Sequence, residues 1–159
     1  MSKSGLFAHF GSKQELQLAA VERAREIFAA EVVTPALDAP AGMPRLRALL
    51  DAWLAYFDRG VFAGGCFFIA ASSEFDDRGG PVRDAVGAAM AAWVSFLEQL
   101  CGEAVESGDL GAADPRQLAF ELNAIGIAVN WELRLRRDPE ALTRAVTAFE
   151  RVLARDGAG

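Results

Sequence analysis

Few side chains in this sequence are placed to do covalent chemistry. His9 is the only histidine, and Cys66 and Cys101 stand apart with no CxxC spacing and no histidine nearby. Reduced thiols suit that arrangement better than a disulfide or a metal framework. Glu74, Asp76 and Asp77 precede "RGG" and read as a solvated helix end rather than a metal site. The chain has no nucleophile elbow, no Gly-rich phosphate loop and no HExxH. We therefore assign no catalytic residue, no metal and no cofactor, and read the chain as a non-enzyme. What remains is binding chemistry, in three places. A short polar-started helix, "SKSGLFAHF", opens the chain. An excess of aromatic residues runs through its middle. Asn123 and Asn130, seven apart, share one face of an otherwise apolar helix. These amides could orient a ligand, pair across a subunit interface or face solvent.

Those residues need a scaffold, and its class is readable. The 159 residues suffice for one domain with a real core. The apolar fraction of 52% and charged fraction of 24% are those of a globular chain. The net charge of −6 argues against nucleic-acid binding by the chain as a whole. The charge is uneven, however. Residues 1–25 hold four basic and two acidic side chains, whereas the rest holds twelve and twenty. No signal peptide opens the sequence. The apolar run AVGAAMAAWVSFL, residues 85–97, is too short to span a bilayer and predicts a buried helix. A cytoplasmic protein without a membrane partner is expected.

The hydrophobic period is helical throughout, with Gly and Pro between segments. About seven helices are expected, making an all-α fold. The first covers about 3–10. The second starts after Ser12, with Glu15 completing a capping box, and ends near Val33 before Pro35. Further helices are expected over about 44–58, 66–75, 81–107, 115–136 and 140–154. The one over 44–58 carries Leu46, Leu49, Leu50, Trp53, Leu54 and Phe57 on one broad face.

The helix over 115–136 is apolar on two sides and must be covered on two sides. Leu118, Leu122, Ile125 and Val129 form one stripe; Phe120, Ala124, Ile127, Ala128, Trp131 and Leu135 form the other. The second cover is either more of the chain's own core or a second subunit. We read a homodimer, with Phe120, Ala124, Ala128 and Leu135 joined by Val146, Phe149 and Leu153 of the last helix in a four-helix interface. The aromatic excess reads as a pocket for an apolar or aromatic small molecule, lined by Trp53, Phe57, Phe67, Phe68, Met90, Trp93, Asn123, Ile127 and Trp131.

The opening stretch "SKSGLFAHFGSKQEL" resembles the end of the DNA-binding domain of TetR-family transcriptional regulators. The pattern is carried by Ser2, Leu6, Phe7, His9, Phe10, Ser12, Lys13 and Leu16. The resemblance implies a recognition helix whose N-terminal residues, Ser2, Lys3, Ser4 and Gly5, lie at base edges in the major groove. It implies phosphate contacts from His9 and Lys13. Phe7 stands where the family usually has Tyr, so the phenolic contact is missing. By the same resemblance, 1–25 is the remnant of a DNA-binding domain, and 26–159 is a TetR-like ligand-binding and dimerisation bundle.

The family carries two further helices, roughly forty residues, before this point. Met1 falls where the family often has Val, and Arg outnumbers Lys 14 to 2, as in a GC-rich gene. The expectation is a chain that begins at its recognition helix, through a misassigned GTG start or a natural short form, with impaired binding to operator DNA. The function implied is a ligand-responsive regulator, a repressor by expectation. The alternative is a helical small-molecule-binding dimer that never touches DNA.

Overall fold

The structure, a computed structural model, describes residues 11–157. Among these residues every regular element is helical. Helix α1, Lys13–Phe28, opens at Ser12, whose Oγ accepts the Glu15 amide N–H at 3.1 Å. A π-helical turn, Ala29–Val33, carries the chain into the short helix α2, Thr34–Leu37. The expected stop before Pro35 is therefore corrected. Pro35 falls in the first turn after the π segment, where a helix tolerates a residue without an N–H.

Helix α3, Met43–Arg59, ends on Gly60 at φ 61°, a left-handed cap that suits glycine. Helix α4, Phe67–Phe75, and helix α5, Pro81–Glu106, follow. Helix α6, Pro115–Trp131, starts on Asp114, whose side chain accepts the Arg116 amide N–H at 3.0 Å. A second π segment, Glu132–Arg136, extends it where a continuous α-helix was expected. That turn brings Arg134 against the end of α3, where its guanidinium donates to the Phe57 carbonyl at 2.6 Å. Helix α7, Ala141–Gly157, closes the described chain.

Helix α5 is the hub, packed by α1, α3, α4 and α6, while α7 packs on α6. Its buried residues are Val82, Val86, Leu97, Leu100, Cys101 and Ala104. By length and composition it is the one helix among the described residues that could cross a membrane. The expected burial of 85–97 is half right. Gly87, Ala88, Ala91 and Ala92 are exposed, because such small side chains raise hydropathy while offering little surface to bury.

The main core joins the apolar stripes of α3, α5, α6 and α7. Leu46, Leu49 and Phe57 meet Leu97, Leu100, Leu118 and Leu122 there, each no more than 1% exposed. A smaller cluster, Val21, Ala71, Val82 and Val86, ties α1 to α4 and α5. Arg45 and Glu103 add a half-buried ion pair of 3.1 Å between α3 and α5.

One contact sets how close α3 and α6 come. Gly126 is buried in α6, and a Cβ built there would lie 1.9 Å from Cη2 of Trp53. In an open helix, Gly→Ala gains up to about 1 kcal/mol. Here the added methyl overpacks a core ring, at about 1–3 kcal/mol or more. Gly126→Ala should therefore lower the melting temperature by several degrees in a thermal scan. A rise would show that Trp53 does not occupy this space.

Candidate ligand cavity and apolar helix face

The cavity follows from how one phenylalanine meets its neighbours. Phe28, at the end of α1, stands edge-on to three rings: Tyr56 at 5.4 Å and 82°, Phe68 at 6.3 Å and 84°, and Trp93 at 5.1 Å and 90°. Rings crossing so steeply leave wedges between them. Beside this group lies a cavity of about 240 Å³. It falls just below the roughly 300–1,000 Å³ of drug-sized sites, so it suits a small ligand.

Trp53 of α3 walls one side, tilted on Trp93 with centroids 4.7 Å apart. Phe68 and Ile69 of α4, and Met90 and Phe96 of α5, complete the apolar wall. Ile127 and Asn123 enter from α6. Arg25 stands at the rim, its guanidinium held by Glu22 at 2.6 and 3.0 Å. The Glu22 side-chain hydrogen bond raises the Arg25 pKa further, so this group stays a cation.

The two asparagines point inward and do different work. Asn123 Oδ1 accepts the Trp93 indole N–H at 3.0 Å. Asn130, 8% exposed, lies off the cavity and accepts the Cys66 amide N–H at 2.8 Å. This bond anchors the start of α4. The chain approaches it through Gly65, at φ 87°, where a Cβ would sit 2.4 Å from Asn130 Oδ1. Cys66 also touches the cavity; burial pushes its thiol pKa up, and pushes that of Cys101 up to about 12. Neither thiol is a ready nucleophile at neutral pH.

Of the expected ligand contacts, the structure brings Trp53, Phe68, Met90, Trp93, Asn123 and Ile127 to this cavity. Three others lie elsewhere and are corrected. Phe57 is 1% exposed in the core, one turn deeper along α3 than Trp53. Phe67 faces a shallower groove with Val21, Phe75 and Val86, because adjacent helix residues point about 100° apart. Trp131 is 50% exposed on the outside of α6, with the Arg136 guanidinium 5.7 Å from its ring centre. Sequence reasoning missed Phe28, Ala29 and Val33, which reach the cavity from α1 and its π turn.

The expected interface residues divide in the same way. Phe120 (67%), Leu135 (70%) and Val146 (48%) are exposed, as are Ala124 and Ala128. Phe120, Ala124, Ile127, Ala128 and Trp131 make one apolar strip along α6 that Leu135 continues into the π segment, while Val146 stands on α7. Phe149 and Leu153 are corrected: both are 3% exposed and face inward from α7, inside the chain's own core. Of the expected DNA contacts, Lys13 is the exposed first residue of α1. Ser2, Lys3, Ser4, Gly5, Phe7 and His9 lie outside the described residues. Among the described residues no acidic, His or Cys cluster could hold a metal ion.

Asn130→Ala would leave the buried Cys66 N–H without an acceptor, at about 1–3 kcal/mol. Denaturant unfolding should show that loss. Native Cys66 should also react faster with a thiol reagent in this variant, because the start of α4 is released. An unchanged midpoint and an unchanged rate would remove Asn130 from this role.

The comparisons with known proteins agree on the architecture. Residues 42–149 match the tetracyclin repressor-like C-terminal domain. A TetR-family transcriptional regulator from Streptomyces coelicolor superimposes with a TM-score of 0.80 at 24% identity, over 99% of this chain and 79% of that one. Another, from Chloroflexus aurantiacus J-10-FL, gives 0.79 at 23%, over 93% and 74%. AibR, solved in complex with isovaleryl coenzyme A and operator DNA, gives 0.74 at 22%, over 99% and 81%. No curated protein matches by sequence. At these identities the superpositions establish the fold, and the domain match establishes the family: the chain belongs to the tetracyclin repressor-like, or TetR, family.

Proposed function

We propose that this protein is a ligand-responsive, DNA-binding transcriptional regulator acting as a repressor. Its effector is an apolar small molecule held in the cavity beside Trp53 and Trp93. Two copies pair through the apolar strip of α6 and the adjoining face of α7. The observation that carries this reading is the position of the cavity. It lies between the end of α1 and the helix that bears the apolar strip, and Ile127 belongs to both.

The geometry supplies a mechanism. Helix α1 runs for 16 residues from its cap at Ser12 to Phe28 in the cavity wall. At 1.5 Å per residue that is a lever of about 24 Å, so a tilt of about 5° at the cavity moves the far end by about 2 Å. DNA-reading heads of a dimer must sit about one helical turn apart on the operator, so a small change in their spacing lowers affinity. AibR, which shares the fold, was solved with a small molecule and operator DNA together. That supports the pairing of these two partner classes on one scaffold.

The test is a mobility shift over a salt series on DNA flanking the gene. The chain is expressed from Met1 and from the in-frame sequence upstream. Specific retardation by the upstream-extended protein is expected, and a one- or two-ring apolar compound should reverse it. At a hundred times its dissociation constant that compound should add about 2.7 kcal/mol of stability. Ala128→Glu, in the exposed strip, should turn a sedimenting dimer into a monomer. Absence of specific DNA binding by either form would favour a ligand-binding dimer that does not touch DNA. An unmodified chain that sediments as a monomer would remove the pairing.

A further inference from the structure

We infer that Ala29 and Ala89 set the size of the effector, and that the cavity accepts a two-ring molecule only because both residues end at a methyl group. The inference rests on reading the cavity as an effector site, and it names the residues that decide what fits. It comes from how rings and alanines share the wall. Phe28, at the end of α1, meets Trp93 of α5 with centroids 5.1 Å apart, and Trp53 of α3 meets the same indole at 4.7 Å. These rings prop three helices apart, because the distance between packed helices is set by the side chains at their contact.

Ala29 follows Phe28 directly, as the first residue of the π turn, and Ala89 lies one turn before Trp93 on α5. Both are partly buried and both line the cavity. Residues three and four apart share a helix face, so Ala89 stands in one row with Trp93 and Phe96. All three belong to the wall, but Ala89 carries a single carbon where the others carry rings. The helices cannot close onto the two methyls while the rings hold them at a wider spacing. Protein interiors otherwise leave few gaps of this kind. The cavity is the space that the two alanines leave unfilled.

That origin fixes a size limit. An apolar cavity of about 150 Å³ takes benzene. The cavity of about 240 Å³ here has room for a second ring. A leucine at either position would push three further carbons into that space and bring it back towards the one-ring size. In the free protein the same carbons would fill a gap, a change that commonly stabilises. At these two positions the room for a ligand and the stability of the free chain therefore move in opposite directions.

Isothermal calorimetry on the full chain with cyclohexanone, a one-ring ketone, and 1-tetralone, a two-ring one, tests this, together with thermal scans of the ligand-free proteins. The unmodified chain should bind 1-tetralone at least about tenfold more tightly, because the second ring buries further apolar carbons. In Ala89→Leu, and separately in Ala29→Leu, that preference should shrink by about tenfold or more, the effect of overpacking a filled site. Each variant should melt at or above the temperature of the unmodified chain. Ala91→Leu, exposed on the same helix and outside the wall, should leave the preference as it was. Either alanine variant carries the test if the other fails to fold. Equal affinities in the unmodified chain would overturn the inference, as would a preference that moves no more in the two variants than in Ala91→Leu. A lower melting temperature in both variants would overturn it too, since the methyls would then already meet their neighbours rather than open space. Each of these results leaves the effector reading standing on the binding itself. If neither ketone binds the unmodified chain or shifts its melting temperature, the effector reading falls, and the inference with it.

Discussion

The packing of Trp53 on the bare backbone of α6 at Gly126 is the contact on which the rest depends. No side chain larger than hydrogen fits there, since a Cβ would meet three ring carbons at 1.9–2.5 Å. The close approach lets one indole serve two regions. Toward the core it leans on Phe57, with centroids 5.5 Å apart. Toward the cavity it leans on Trp93 at 4.7 Å. Core and cavity therefore share a wall, and a change in one is felt in the other. Dense packing around a contact this close transmits small displacements rather than absorbing them.

The hydrogen bonds follow from the same helix. Asn123 and Asn130 stand two turns apart on the inward face of α6. One fixes the orientation of Trp93, and the other fixes the first turn of α4 through the Cys66 amide. Each uses its oxygen on an N–H, part-buried at Trp93 and buried at Cys66, so both amides are satisfied on an apolar face. The neighbouring face of α6, about a quarter-turn away, carries Phe120 and Trp131 outward. One helix thus holds an inward polar pair, a cavity wall and an outward apolar strip.

Much of this was legible in the sequence, for identifiable reasons. Ser12, Pro81 and Asp114–Pro115 mark helix starts by local chemistry, and local chemistry survives folding. The stripe from Leu46 to Phe57 is buried as its period requires. The two-sided α6 follows from counting apolar residues at helical spacing. What the sequence hid depends on distant partners. Trp53 and Phe57 share one stripe and one chemistry, and only the approach of α6 at Gly126 separates a cavity ring from a core ring. Phe67 and Phe68 are adjacent, and the sequence does not say which faces inward. Phe28, the last residue of α1, escapes because its place in the wall is set by the distant rings of Tyr56, Phe68 and Trp93. Phe149 and Val146 lie on one amphipathic helix, and the period alone does not tell which edge meets the chain's own core. Gly126 reads as an ordinary weak point in a helix until the ring against it is seen.

The central claim is that the cavity walled by Trp53 and Trp93 receives an apolar small molecule. The most direct measurement is a titration of the ¹⁵N-labelled chain with 1-tetralone, following the three indole N–H resonances by NMR. The account predicts shifts for Trp53 and Trp93, whose rings wall the cavity. Trp131, outside on α6, should hardly move. A ketone that binds while Trp53 and Trp93 both stay still, or that moves Trp131 instead, would contradict it.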